Sequence, residues 1–299
     1  MKDAAALPLA AASTNRRFAD FLSLTKPRLN LLVVVTAAVG YYLGAGPGLE
    51  IAKLVQAVIG IALVAGGAAG LNQIYERETD SLMWRTRTRP IAAQRITPTE
   101  AMIFSVTLAV VGLAIVTVTS SLIAGFLTLL TLVSYNAVYT PMKRRSQLAT
   151  LVGAVPGALP PMIGWVAARG ALTSEAWALF AIVFVWQIPH FMAIAWLYRD
   201  DFSRAGFPLL PVVEPNGKST GRQAVLFSIA LVPVSLAPYF LGISGAIYAM
   251  SAVAGGVALL AFAVSFAIAR TNERARRLFL GSITYLPLLW TMMIADRLR

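Results

Sequence analysis

Residues 101–138 read AMIFSVTLAVVGLAIVTVTSSLIAGFLTLLTLVSYNAV, and this stretch decides the fold class. It carries no charged residue. A membrane-crossing helix needs roughly 17–25 predominantly apolar residues, so the stretch predicts two spans joined by a very short loop. Working outward, the same criterion predicts an all-α integral membrane protein with nine spans in a single bundle: 29–43, 54–71, 101–118, 122–138, 148–167, 177–196, 224–241, 246–269 and 278–295.

The composition agrees with a membrane protein. Of the 299 residues, 58% are hydrophobic and only 13% are charged, whereas a soluble domain carries about 25% charged residues. The net charge of +12 therefore reports orientation in the membrane, and no nucleic-acid partner is expected. Because the chain has no cysteine, disulfides, thiolate metal sites and iron–sulfur clusters are excluded. A metal would have to be held by oxygen atoms or by the one histidine.

Lysines and arginines fall mostly on one side of the nine spans. With a cytoplasmic N-terminus, the inner segments hold 21 of the 25, and the outer segments hold Lys53, Arg169, Arg297 and Arg299. Positive charge marks the cytoplasmic side, so the C-terminus is expected outside. Two long loops also lie inside, and long loops tend to be functional, so we expect the active site on the cytoplasmic face. Residues 1–28 are expected to form a disordered cytoplasmic tail, and 29–299 a nine-helix domain.

The second span ends in the polar stretch NQIYERETDSLMWRTRTRP, residues 72–90. Asn72, Glu76 and Asp80 are spaced by four, so on a helix they project from one face. Their oxygens suit Mg²⁺, which takes one or two carboxylates and keeps positions for substrate phosphate oxygens. Arginines suited to phosphate follow at 85, 87 and 89. The alternative is a solvated, positive-inside loop with salt bridges at the helix end.

Two later inner loops carry further candidates. Tyr139, Lys143 and Arg144 follow the fourth span, where the alternative is an interfacial aromatic anchor with topology-setting cations. Asp200 and Asp201 follow the sixth span and are predicted to face the first cluster as a second metal locus. A helix C-terminus disfavours two adjacent carboxylates, so a compensating cation is expected, and nearby arginines are the simplest alternative.

Prolines and the single histidine mark two other spans. Pro156, Pro160 and Pro161 are expected to kink or break the fifth span. His190 lies inside the sixth span, directly after Pro189. Ionisable groups inside a membrane are rare and usually functional. A neutral histidine bonded to a carbonyl that Pro189 leaves free is the structural alternative.

The ordered set of motifs resembles the UbiA superfamily of intramembrane prenyltransferases. The set comprises Asn72-x3-Glu76-x3-Asp80, Tyr139-x3-Lys143 and an acidic pair after the sixth span. Within that superfamily the chain is similar to the branch that prenylates haem, through the runs at 83–90, 139–144, 157–165, 190–191 and 205–213. Glu76 stands where much of the superfamily has Asp. Four residues beyond Asp201 is Ala205 rather than the second Asp of quinone-type members, which favours the haem branch and argues against a full second magnesium site.

The resemblance implies an activity and a set of residue roles. Farnesyl diphosphate and haem b would be the substrates, with Mg²⁺ as cofactor, and the farnesyl group would join a haem vinyl group as water adds. A bacterial inner membrane follows, with haem A synthase or oxidase assembly proteins as candidate partners. The implied roles are metal binding by Asn72, Glu76, Asp80, Asp200 and Asp201; diphosphate binding by Arg85, Arg89, Lys143 and Arg144; catalysis by Asn72, Glu76, Asp80, Tyr139, Lys143 and Asp201; and haem contact by His190.

Two other functions are considered. A quinone-type or chlorin prenyltransferase of the same superfamily would share the first motif, but the quinone-type enzymes carry a DxxxD after the sixth span. A transporter of amphipathic anions would place polar groups near the membrane midplane on interrupted helices, whereas here the charged clusters lie on one side.

Overall fold

The computed structural model describes residues 7–298, with side chains from Arg16 onward. The described chain is almost entirely helical. Its α-helices are α1 Leu7–Leu24, α2 Pro27–Ala45, α3 Ile51–Tyr75, α4 Arg77–Leu82, α5 Pro98–Thr119, α6 Leu122–Val133, α7 Thr140–Met142, α8 Ala149–Arg169, α9 Ser174–Leu197, α10 Arg199–Arg204, α11 Leu210–Val213, α12 Lys218–Val234, α13 Ala237–Phe240, α14 Ala246–Ala269 and α15 Asn272–Ala295. A π-helical turn, Ser134–Tyr139, joins α6 to α7.

The predicted spans are confirmed in number and order. Between residues 7 and 298, nine helical stretches are long and apolar enough to cross a membrane: Pro27–Gly48, Ile51–Tyr75, Pro98–Thr119, Leu122–Met142, Ala149–Arg169, Ser174–Leu197, Lys218–Phe240, Ala246–Ala269 and Asn272–Ala295. The fold class read from the sequence is therefore correct.

The N-terminal segment differs from the expectation of a disordered tail, because residues 7–24 form α1. The helix is held to the bundle at its C-terminal end. Leu24 is fully buried in a small cluster with Ile74, Ile96 and Ala101. The Asp20 carboxylate also accepts hydrogen bonds from the Arg95 guanidinium, at 2.9 to 3.1 Å. Residues 1–6 of the expected tail lie outside the described residues.

Local capping sets several helix starts. Thr97 precedes Pro98 and forms a reciprocal capping box with Glu100: the Thr97 hydroxyl accepts from the Glu100 N–H, and the Glu100 carboxylate accepts from the Thr97 N–H. Ser121 caps α6 and Thr271 caps α15 through side-chain oxygens. Each cap contributes about 1 kcal/mol to the stability of its helix.

Of the expected kink or break in the fifth span, the break is absent, since α8 is one helix from Ala149 to Arg169 despite its three internal prolines. Close packing on both sides supports it. A methyl group at Gly164 would lie 1.9 Å from the carbonyl oxygen of Ala37, and one at Gly40 would lie 2.0 Å from that of Pro161. Only glycine permits this approach of α2 and α8. Inside a membrane, such contacts allow a helix to tolerate proline.

The bundle is arranged around α8 and α9, which pack on each other and bury the largest share of their surfaces. α2 packs on α8, and α3 packs on α5. On the other side α9 packs on α12 and α15, which both contact α14. This arrangement brings together the C-terminal end of α3, the start of α2, the π-helical turn and the loop after α9.

Candidate functional site

Three oxygen-bearing side chains share one helical face at the end of α3. Asn72, Glu76 and Asp80 are buried, with 0%, 6% and 1% of their surfaces exposed. Glu76 separates α3 from α4, yet the helical phase continues through it. The Glu76 N–H donates to the Asn72 carbonyl at 2.9 Å, and the Asp80 N–H donates to the Glu76 carbonyl at 2.7 Å. The spacing of four therefore places the three side chains one above another, as predicted.

Each of these three side chains contacts a cation from a different segment. The ammonium of Lys26 donates to the Asn72 side-chain oxygen at 2.8 Å. The ammonium of Lys143 donates to the Glu76 carboxylate at 2.8 Å. The guanidinium of Arg89 donates to both Asp80 carboxylate oxygens at 2.7 Å. Three acceptors are thus each paired with one cation in a largely buried cluster, which we call the acidic face. Its members are Asn72, Glu76, Asp80, Lys26, Lys143 and Arg89.

The π-helical turn carries Tyr139 and leads to Lys143. Pro141 has no N–H, and its ring crowds the carbonyl four residues earlier, which favours a widened turn at this point. The Thr140 hydroxyl donates to the Tyr135 carbonyl at 2.8 Å and accepts from the Asn72 side-chain amide at 3.1 Å. π-helical turns are frequent at functional sites, and here the turn connects the fourth span directly to the acidic face.

Tyr139 lies over the same site. The Lys143 ammonium is 4.5 Å from the centre of the Tyr139 ring, a cation–π distance. The ring also packs on Gly153, where a methyl group would come within 2.4 Å of a ring carbon. The ring is therefore positioned by a glycine of α8, a requirement that the sequence does not reveal.

In the acidic face, burial disfavours the charged form of each side chain, whereas a neighbouring opposite charge favours it, and the two effects shift the pKa in opposite directions. Burial alone would raise the pKa of Glu76, but Lys143 and Lys26 outweigh it, so that pKa lies below its usual value. Burial raises the pKa of Asp80 even though Arg89 opposes the shift. Burial, followed by the charge of Arg89, lowers the pKa of Lys26 to about 7. Burial acts against the charge of Lys143, yet Tyr139 and then Glu76 hold its pKa above the usual value.

Lys26 was not singled out by the sequence. It precedes Pro27 at the start of α2 and adopts a left-handed backbone conformation with φ of 47°. Residues other than glycine rarely adopt this conformation, and such strain concentrates at functional sites. The only signal in the sequence is a lysine directly before the first span, which ordinarily marks topology. Its partner Asn72 lies 46 residues away, so the contact exists only in the folded chain.

Asp200 and Asp201, the acidic pair after the sixth span, differ in their exposure to solvent. Asp200 is exposed, whereas Asp201 is buried. The Asp201 carboxylate pairs with the Arg204 guanidinium one turn later on α10. It also accepts a long hydrogen bond, 3.4 Å, from the backbone N–H of Trp84. The compensating cation is thus local, as in the simpler alternative, and Asp201 contacts the segment that follows α4.

Arginines of the first cluster point in different directions. Arg85 lies near both Asp80 and Asp201. Its guanidinium is 4.9 Å from the centre of the Tyr198 ring and 5.8 Å from that of Phe202. Burial lowers the pKa of Arg85, and the nearby Arg89 adds to the shift. Arg87 instead stacks on Trp84 at 3.6 Å. Arg144 is exposed to solvent.

His190 lies apart from these residues, at the junction of α9 and α15. Its Nδ1 atom is 2.8 Å from the hydroxyl oxygen of Ser282. Trp186 and Phe279 stack on the imidazole, with ring centres at 5.2 and 5.1 Å. The expected carbonyl partner, freed by Pro189, is thus not the partner observed. His190 is only partly exposed, and the Phe191 ring lies 5.9 Å from it, centre to centre.

The donor set of the acidic face fits a hard divalent cation. Among residues 7–298, His, Asp and Glu side chains do not form a group of three positioned for metal binding. Mg²⁺ does not need one, because it binds proteins through one or two carboxylates and takes phosphate oxygens and water as its other ligands. Glu76 and Asp80 supply two carboxylates and Asn72 an amide oxygen. All three currently contact cations, so those cations would have to move.

The fold and the acidic face define the class of the protein. Residues 33–291 match the UbiA prenyltransferase family, and the chain belongs to it. The chain is therefore a membrane-spanning prenyltransferase. Its relatives include proteins named protoheme IX farnesyltransferase from Solibacter usitatus (44% identical, covering 93% of this chain and 98% of the relative), Koribacter versatilis (42%, covering 93% of each) and Opitutus terrae (42%, covering 96% and 97%).

Solved structures show the same fold at low sequence identity. A digeranylgeranylglyceryl phosphate synthase superimposes with a TM-score of 0.79 at 16% identity, covering 94% of this chain and 98% of that one. An apo UbiA homologue from Aeropyrum pernix K1 gives 0.71 at 19%, covering 90% and 97%. A UbiA homologue from Archaeoglobus fulgidus, bound to GPP and Mg²⁺, gives 0.64 at 15%, covering 92% and 99%.

Proposed function

We propose that this chain transfers a farnesyl group from farnesyl diphosphate to a vinyl group of haem b. Relatives above 40% identity that carry the name protoheme IX farnesyltransferase support this substrate pair. The family supports transfer of a prenyl group. The single observation that carries the proposal is the acidic face, in which Asn72, Glu76 and Asp80 are each opposed by a separate cation.

The acidic face suits the diphosphate head group. Asn72, Glu76 and Asp80 would hold Mg²⁺, which when bound neutralises diphosphate oxygens and eases their departure. Lys143 and Arg89 would then turn from the carboxylates toward the diphosphate, where ammonium and guanidinium groups are good donors. Arg85 lies nearby as a further donor, and Arg144 would join it at the exposed rim. The apolar tail would extend among the spans.

Bond cleavage requires stabilisation of charge rather than a covalent enzyme intermediate. As the allylic C–O bond breaks, the diphosphate leaves with the bonding electrons and the farnesyl carbon becomes cationic. Fixed positive groups around the leaving oxygens stabilise the developing negative charge. The face of Tyr139, positioned by Gly153, would stabilise the carbocation through its ring electrons and shield it from water.

The acceptor completes the balance of atoms and charge. The vinyl π electrons of haem b form the new C–C bond, which leaves a cation on the carbon next to the porphyrin. Water adds to that carbon and loses a proton, giving a hydroxyethylfarnesyl haem. His190 would bind the haem iron. It lies ten residues before Asp200, about 15 Å along a helix, so the porphyrin would stand between the diphosphate and the interior of the membrane.

We further propose a bacterial inner membrane with the acidic face toward the cytoplasm, on the basis of the charge distribution. Haem A synthase or oxidase assembly proteins are the proposed partners. Orientation is testable because the chain has no cysteine. Single cysteines at the exposed positions Gln147 and Gly48 should react with a membrane-impermeant thiol reagent from the cytoplasmic and outer sides, respectively. Labelling of both from one side would contradict the orientation.

The decisive experiment supplies purified enzyme with haem b, farnesyl diphosphate and Mg²⁺. Mass spectrometry of the haem should show a gain of one farnesyl group plus one hydroxyl group, which disappears when Mg²⁺ is chelated. Parallel reactions with an aromatic acceptor of the quinone type and with a chlorin test the two related activities. Product from either acceptor in preference to haem would overturn the proposed substrate. Transport of intact diphosphate without any product would favour the transporter alternative.

A further inference from the structure

The environment of His190 determines where its proton resides. The Ser282 hydroxyl oxygen lies 2.6 Å from the carbonyl oxygen of Phe279, one turn earlier on α15. Two oxygens approach this closely only when a hydrogen lies between them, and a carbonyl can only accept. The hydroxyl proton of Ser282 is therefore directed to Phe279. Its oxygen is left as an acceptor for any other neighbour.

That neighbour is Nδ1 of His190, at 2.8 Å. Since the Ser282 oxygen accepts this bond, Nδ1 must donate it and must carry the ring proton. A neutral imidazole protonated at Nδ1 has its lone pair at Nε2. Nε2 of a neutral histidine is a common ligand of haem iron.

Neighbouring contacts fix the position of the His190 imidazole relative to Ser282. Trp186 and Phe279 stack on the imidazole, at interplanar angles of 21° and 26°. The indole N–H of Trp186 donates to the carbonyl oxygen of Ser282 at 2.8 Å. Ser282 of α15 is therefore hydrogen-bonded to two side chains of α9, those of Trp186 and His190. Ser282 and Trp186 are buried. Because Ser282 engages Nδ1, Nε2 is the ring nitrogen left to bind iron.

We propose that Ser282 is a positioning residue that holds His190 in the Nδ1–H tautomer, so that Nε2 presents its lone pair to haem iron. The tautomer follows from the contacts alone, whereas the contact with iron rests on the proposed function. In metal sites, the partner of the second ring nitrogen fixes the tautomer and the orientation of the histidine, and its loss typically lowers metal affinity 10- to 100-fold.

The tautomer can be measured directly because His190 is the only histidine. Protein labelled with ¹⁵N-histidine should give a single imidazole spin system in long-range ¹H–¹⁵N spectra, with Nδ1 protonated and Nε2 unprotonated. Ser282→Ala should move the Nδ1 resonance toward the unprotonated type. A wild-type spectrum with the proton on Nε2 would overturn the assignment, whatever haem does.

Ser228→Ala is the matched control. Ser228 is also fully buried, and its hydroxyl likewise donates to a backbone carbonyl of its own helix, that of Ala224 at 2.8 Å. It belongs to α12, and its hydroxyl bonds to Ala224 whereas the hydroxyl next to His190 is that of Ser282. This variant should leave the histidine spectrum unchanged. A change as large as that of Ser282→Ala would show that the spectrum reports general loosening of the bundle, and would overturn the specific role of Ser282.

Haem titration tests the connection to iron. The Soret band of haem bound to the wild type should show imidazole ligation, and His190→Ala should lose that signature. Ser282→Ala should retain it with affinity weakened roughly 10- to 100-fold, and Ser228→Ala should match the wild type. Identical spectra for the wild type and His190→Ala would overturn the role of Ser282 toward iron. Farnesyl transfer is judged separately, by the mass of the haem product.

Discussion

The carboxylates of the acidic face and that of Asp201 lie at the same end of the bundle, but they are neutralised in different ways. On the acidic face, Glu76 pairs with Lys143, 67 residues away in sequence, and Asn72 contacts Lys26, 46 residues away. Asp201 instead pairs with Arg204, three residues away on the same short helix. The acidic face therefore depends on the assembled bundle for two of its three cations, since Arg89 lies only nine residues from Asp80, while Asp201 depends mainly on a single helical turn.

This difference separates two kinds of site. Lys26 and Lys143 reach the acidic face from other elements, so in the proposed mechanism substrate phosphate would draw Lys143 away without unfolding a helix. The local partner of Asp201 leaves its carboxylate free to receive the Trp84 N–H, which links α10 to the segment after α4. The comparison favours metal and diphosphate binding by the acidic face and a positioning role for Asp201. A metal-binding role for Asp200 and Asp201 stays a prediction.

Asp80→Asn should have the largest effect. It keeps the shape of the side chain but removes a buried negative charge that would ligate Mg²⁺. Turnover should fall at least 100- to 1,000-fold, the range seen when one charge-stabilising group is removed, while the protein still inserts into the membrane. The assay is formation of farnesylated haem at saturating Mg²⁺. Glu78→Gln is the control, because Glu78 lies on the same short helix with its side chain 75% exposed. Comparable turnover for both variants would remove the acidic face from the mechanism.

Lys143→Met should reduce turnover by roughly 100-fold, since one proposed donor to the leaving diphosphate disappears. It also leaves Glu76 without its closest cation. Arg145→Met is the nearby control, with an exposed side chain and an expected loss of no more than about threefold, typical of a surface charge. Binding of inorganic pyrophosphate, measured by calorimetry with Mg²⁺, should weaken in the first variant and change little in the second. The reverse order would contradict the assignment of Lys143.

Asp201→Asn should reduce turnover by roughly 10- to 100-fold, because it weakens a buried charged acceptor of the Trp84 N–H and Arg204. Asp200→Asn should be milder, since that carboxylate is exposed. Hydrogen exchange at residues 83–90 distinguishes the roles: a positioning residue should increase exchange there when it is changed. Severe loss with unchanged exchange and weaker Mg²⁺ binding would instead restore Asp201 as a metal ligand.

Arg204→Gln should have the smallest effect, about threefold or less. Its side chain is 47% exposed, and exposed ion pairs contribute little. Arg89→Gln makes the matched comparison, because each arginine pairs with one aspartate, yet Arg89 should matter far more. Equal losses in steady-state assays of the two variants would erase the distinction between the acidic groups.

Much of the fold was predictable from the chain alone. Nine spans, their order and the all-helical class follow from the length of apolar runs, because a helix satisfies its own backbone hydrogen bonds in lipid. Errors occurred where other elements intervene. Residues 7–24 form a helix that packs on the bundle, and α8 continues through its prolines because α2 packs closely against it.

The alignment of the three oxygen donors on the acidic face was predictable for a similar reason. A spacing of four places Asn72, Glu76 and Asp80 on one face of any helix, so their alignment is a local property that survives the junction between α3 and α4. Family resemblance then indicated the chemistry. The sequence by itself therefore determined the membrane class, the spans and the alignment of the three oxygen donors.

Only the tertiary structure decided which partners these groups meet. Lys26 contacts Asn72, 46 residues away, and Tyr139 packs on Gly153, 14 residues away. Ser282 bonds to His190, which is 92 residues away in sequence. Sequence periodicity describes neighbours within one helix, whereas these contacts depend on how helices pack side by side. Helix packing is set by the shapes of many side chains together, so the cations and the histidine tautomer could be assigned only after the bundle was assembled.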